Sequence, residues 1–123
     1  MNSLCAFIRS CGVFFLLTIN GNAPAGRPFG AILERDGDLF VSTGDTKQVY
    51  TQLINNTHVQ LIALKNGTRD WIRVTGDAEE CFDLSIKAQM LQENPALQTH
   101  FKSPDAAHYS VFRIKINHLE FYE

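Results

Sequence analysis

Between residues 109 and 122 apolar and polar positions alternate. Phe112, Ile114 and Ile116 take one side, and Arg113, Lys115 and Asn117 take the other. A period of two marks a strand with one buried face. The same alternation runs through residues 71–76, where Ile72 and Val74 oppose Trp71 and Arg73. Apolar runs at 13–19, 27–35, 39–43 and 59–64 predict four more strands. Asn20-Gly21, Asp36-Gly37 and Asn66-Gly67 separate these runs and favour tight turns with positive φ. The first two turns predict a meander, in which strand 27–35 pairs with 13–19 on one side and 39–43 on the other.

Elsewhere the period lengthens to that of a helix. Leu4, Phe7, Ile8 and Cys11 place a helix over residues 2–11, closed by Gly12. Val49, Tyr50, Leu53 and Ile54 place a second one after Thr46, ended by Asn55-Asn56. Leu84, Ala88 and Leu91, with Met90 beside them, place a third over 81–93. Asn94-Pro95 then restarts a helix, an N-cap residue followed by proline at the first helical position. Six or so strands in hairpins with two to four short helices describe a mostly β chain with α: a small closed or split antiparallel barrel, one domain over residues 1–123.

Charge narrows the partners. Net charge is −2, from 11 Lys+Arg against 13 Asp+Glu, and no basic run is present, so nucleic acid is not an expected partner. Cys5, Cys11 and Cys81 are odd in number and lack C-x-x-C spacing, which points to reduced thiols that pack as small hydrophobes. Cys81, near a predicted helix start, has no histidine companion to make it a nucleophile. His58, His100, His108 and His118 show no metal-ligand spacing, and no metal is expected. His58 and His118 read as surface residues flanking strands, and His100 and His108 flank a solvated loop at 101–107. The first 25 residues loosely imitate a secretory signal, and two sequons follow at Asn55 and Asn66. Arg9 interrupts the apolar material, however, and residues 13–19 are too short for a signal core or a bilayer span. A cytoplasmic chain with no membrane partner is the expectation.

The candidate chemistry sits around Arg27 and the Ser42-Thr43-Gly44-Asp45-Thr46-Lys47 turn. If strands 27–35 and 39–43 pair antiparallel, the start of one lies near the end of the other. Arg27 then joins two hydroxyls, a helix N-terminus and an ammonium in a site suited to a phosphate dianion. The turn lacks P-loop spacing. The alternative is plain: Asp45 or Thr46 caps a helix, and Arg27 and Lys47 are solvated surface charges.

Several stretches then recur together and in order: "GRPFGAI", the Ser-Thr run leading to a lysine-bearing helix start, the Asn-x-x-Val opening of the next strand, "DWIRVTGDAE" and the final "VFRIKINHLEFYE". In order and spacing the chain resembles the pyridoxamine 5′-phosphate oxidase-like family of FMN-binding split barrels, its short stand-alone members above all. The Arg-rich C-terminal segment of the biosynthetic oxidase is missing. The resemblance implies a homodimer with FMN at the subunit interface. It implies that Arg27 and Lys47 hold the phosphate, with Ser42, Thr43 and Thr46 adding hydrogen bonds. Gln48 stands where a second basic residue is frequent, and Pro28 and Phe29 shape the wall beside the ring. Trp71 matches a position that approaches the flavin, of its own subunit or of the second; the other reading is a core aromatic. Arg73 is a cofactor contact or an ion-pair partner at the interface.

Function follows from the cofactor, not from protein acids and bases, and no catalytic residue is assigned. The favoured expectation is an FMN-dependent oxidoreductase acting on a small organic substrate. The alternatives are a non-catalytic protein that binds or stores flavin, haem or a deazaflavin, and a dimeric domain with a vestigial site.

Overall fold

The computed structural model describes residues 4–123. Helix α1 (Leu4–Cys11) is followed by β1 (Phe14–Asn20), β2 (Ala23–Phe29), β3 (Leu33–Arg35) and β4 (Asp38–Gly44). Helix α2 (Gln48–Asn55), β5 (His58–Leu64), β6 (Trp71–Cys81), α3 (Leu84–Glu93), a 3₁₀ turn (Pro95–Thr99) and β7 (Tyr109–Tyr122) complete the order. The expected start of α1 at residues 2 and 3 lies outside the described residues.

All seven strands form one antiparallel sheet, ordered β2-β1-β5-β6-β7-β4-β3, with free edges at β2 and β3. The sheet is therefore not closed. The long strands β6 and β7 serve both of its halves. The first part of β6 pairs with β5 and with the end of β7, while the start of β7 pairs with β4 and the end of β6. A bulge between Thr75 and Gly76 marks the seam. There a Cβ on residue 76 would run into the Lys115 carbonyl and the Ile114 side chain, so only glycine fits.

Two cores result. The larger one packs α1 (Cys5, Ile8) and α2 (Val49, Leu53) onto the inward residues Phe14, Leu16, Leu61, Val74, Phe112 and Ile114. The smaller one, on the other face of β4 and β7, packs Phe40, Tyr109 and Val111 against Met90 and Leu91 of α3. The start of β7 is thus buried on both faces, as its burial pattern shows.

Several expectations need correction. The strand expected over 27–35 is two strands, β2 and β3, separated at residues 30–32. There is no meander. β1–β2 and β3–β4 are separate hairpins at opposite edges of the sheet. Both turns form as the dipeptides suggest, with Gly21 at φ 66° and Asp36-Gly37 at 55° and 83°. Pro24 and Pro28 sit in β2 because an edge strand need not donate every N–H. Cys81 ends β6 and does not open a helix; α3 starts three residues later, capped by Asp83, whose carboxylate accepts from the Ser85 N–H at 2.8 Å. Leu84, expected in the buried stripe of α3, is 56% exposed.

Candidate functional site

Directly opposed residues of an antiparallel pair share a face. In the row that carries Arg27, its neighbours Leu16, Leu61 and Val74 are all buried, so Arg27 points inward from the sheet edge. It does not meet the 42–47 turn through strand pairing, because β2 and β4 lie at opposite ends of the sheet. It meets α2 instead. Arg27 Nη1 donates to Thr18 Oγ1 at 2.8 Å and to the Leu16 carbonyl at 3.2 Å, and Nη2 donates to Gln52 Oε1 at 2.6 Å. The Thr18 hydroxyl also donates to Gln52 Oε1, at 2.6 Å.

Every one of these partners is neutral, and Arg27 takes part in no salt bridge among the described residues. Burial pulls its ionisation below the ordinary guanidinium value, though arginine stays charged in any physiological range. A half-buried cation without a counter-ion favours an anion.

Thr46, Lys47 and Gln48 lie together, exposed, where α2 begins. Neither Asp45 nor Thr46 caps the helix. Lys47 occupies the cap position, no side chain caps the turn, and that turn carries no acidic residue. The Tyr50 N–H turns back onto the Lys47 carbonyl at 3.1 Å, so the N–H groups of Gln48 and Val49 are the ones left for an anion among the described residues. Gln52, which Arg27 meets, is five residues beyond Lys47, about 7.5 Å along the axis from the helix start. Beside it, Gln48, Thr51, Gln52 and Asn55 face the Asn20-Gly21 turn across a cleft of about 290 Å³.

The other candidates separate. Ser42 and Thr43, adjacent on β4, project to opposite faces. Thr43 follows Leu39 and Val41 on the side of the larger core, whereas Ser42 follows Phe40 on the α3 side. The Ser42 hydroxyl is buried with no partner among the described residues. Pro28 is exposed on the outer face, and Phe29 turns inward against Phe14, ring centres 6.1 Å apart.

Trp71 is not a core aromatic. It lies half-buried on the outer face of β6, stacked on Tyr122 at 4.5 Å, with the Arg73 guanidinium 5.3 Å from its ring centre. Arg73 pairs within its own chain with Glu120, Nε to Oε1 2.8 Å. These two residues face away from Arg27. His108, expected as a solvated loop residue, adopts φ 66° and holds Asp45, Nδ1 to Oδ1 2.8 Å.

The family model described as pyridoxamine 5′-phosphate oxidase matches residues 3–123. The chain belongs to the pyridoxamine 5′-phosphate oxidase family. Among solved structures, this family member is similar to a nimc/nima family protein from Clostridium acetobutylicum, at 32% identity and TM-score 0.82, covering 89% of this chain and 77% of that one. It is also similar to General Stress Protein 26 from Bacillus anthracis, at 20% identity and TM-score 0.82, with 96% and 89% covered. A third likeness, at 16% identity and TM-score 0.74, is to a protein of the pyridoxinephosphate oxidase family related to general stress protein 26, from Clostridium acetobutylicum, with 90% and 79% covered. The last two likenesses show the fold alone, that of split barrels. No curated protein matches the chain.

Two residues that hold Arg27, Thr18 and Gln52, are not among those the sequence singles out. A signal was present for Gln52. It falls between Val49 and Leu53 on the buried stripe of α2, a polar side chain where an apolar one packs by default.

Proposed function

We propose that this protein is a flavoprotein that binds FMN, anchoring its phosphate between Arg27 and the first turn of α2, and that it works as an oxidoreductase on a small organic substrate. The carrying observation is Arg27 itself: desolvated, oriented by three oxygens, and without a carboxylate. The residues present fit a phosphate dianion. Two N–H groups of the guanidinium remain unpartnered among the described residues, and the helix start is uncapped. Lys47 and Thr46 add a point charge and a hydroxyl at that start, and Thr43 lies on the same side of β4 as α2. Gln48 supplies amide donors where a second cation would bind more strongly.

The redox chemistry, acceptance of a hydride or single electrons at the ring, belongs to the flavin when bound. The chain's own work is to neutralise the phosphate and fix the ring's direction.

Dimerisation is part of this reading. Val13, Phe15 and Leu64 are 54%, 50% and 55% exposed on the outer face, beside Pro28 and Ile62. Covering that face with a second copy removes an exposed apolar patch from water. It also brings Trp71 and Arg73 of one subunit toward the second, which suits a cofactor shared at the interface.

The test is the protein as purified, denatured and its released chromophore identified. Release of one FMN per chain is expected, and a colourless protein that binds no added FMN would remove the proposal.

A further inference from the structure

We infer that Gln52 is a positioning residue for the anion site: its side-chain oxygen aims Arg27, and because it is an amide and not a carboxylate, the arginine's charge stays available to a ligand. This rests on the flavin reading above and deepens it. Gln52 is only 8% exposed and Thr18 2%, so the triad is fixed within the protein. Gln52 Oε1 accepts from both Arg27 and Thr18, at 2.6 Å each. With the oxygen fully occupied, Nε2 donates to nothing among the described residues, on a side chain that lines the 290 Å³ cleft.

A carboxylate of the same shape would keep both hydrogen bonds. It would also cancel the guanidinium's charge and remove the free N–H₂ donor. Position 52 thus decides whether Arg27 closes an internal ion pair or recruits an external anion. Five donors on Arg27, three of them committed to Leu16, Thr18 and Gln52, leave Nε–H and one Nη2 hydrogen for that anion.

The experiment compares the wild type, Gln52→Glu and Gln52→Leu, each stripped of cofactor, titrated with FMN and with riboflavin, which lacks the phosphate. Gln52→Glu is expected to weaken FMN by about tenfold or more while leaving riboflavin nearly unchanged. Gln52→Leu keeps the cation and should retain FMN better than Gln52→Glu does. Equal losses for FMN and riboflavin, or equal FMN losses in the two variants, would mean that Gln52 only packs, and would overturn the inference. If the wild type binds neither flavin, the flavin reading fails, and inorganic phosphate then tests Gln52 separately. Phosphate should raise the melting temperature of the wild type and not of Gln52→Glu; an equal rise in both overturns the inference.

Discussion

Arg73 and Glu120 face each other across β6 and β7, with Nε 2.8 Å from Oε1, and the Tyr122 hydroxyl donates to the other carboxylate oxygen at 2.5 Å. The hydrogen bond from Arg73, followed by that from Tyr122, pulls the Glu120 carboxyl down to about 2. A depressed carboxylate contributes stability that is present above its ordinary value near 4.5 and is lost as pH falls toward 2. Melting temperature should therefore drop across that acid window in the wild type. In Glu120→Gln the drop should be shallower, and parallel acid limbs in a pH series of melts would count against the pairing.

The bulge at Thr75/Gly76 predicts a backbone-limited substitution. Gly76→Ala sets a methyl against the Lys115 carbonyl, which cannot swing aside as a flexible side chain would. Overpacking of this kind costs about 1–3 kcal/mol. Urea denaturation should show the midpoint falling with little change in slope, and a variant as stable as the wild type would show that the two long strands separate easily.

Phe15 tests the outer face. It lies opposite Pro28 and Ile62 and is 50% exposed, so a charge there leaves both cores untouched. Phe15→Glu should sediment as a monomer at concentrations where the wild type is a dimer. A wild type that is itself monomeric, or a variant that remains dimeric, would place the subunit contact elsewhere.

The strand periods were the legible part of the fold. β7 runs over the expected residues because its alternation is long, and β5 and the start of β6 follow the same rule. The strand-pairing order was not legible. Phe29 to Leu33 contains no polar break, so the run looks continuous, yet the chain leaves one sheet edge there and joins the other. Which edge a hairpin joins is decided by long-range packing, here of β3 against α1 and α3, and no local period encodes it.

The site shows the same division. Arg27 and the α2 start were recognisable as residue types suited to a phosphate. What orients Arg27 is the buried amide of Gln52 on α2 together with Leu16 and Thr18 of β1, and not the strand that carries Ser42 and Thr43. Ser42 and Thr43 look equivalent in sequence, and only the pleat of β4 sends them to opposite faces.

The most direct measurement is the FMN affinity of Arg27→Ala beside that of the wild type. Loss of a charge-assisted contact should weaken binding by roughly ten- to a hundredfold, about 1.5–3 kcal/mol. Unchanged FMN affinity in a folded Arg27→Ala protein would contradict a phosphate site built on this arginine.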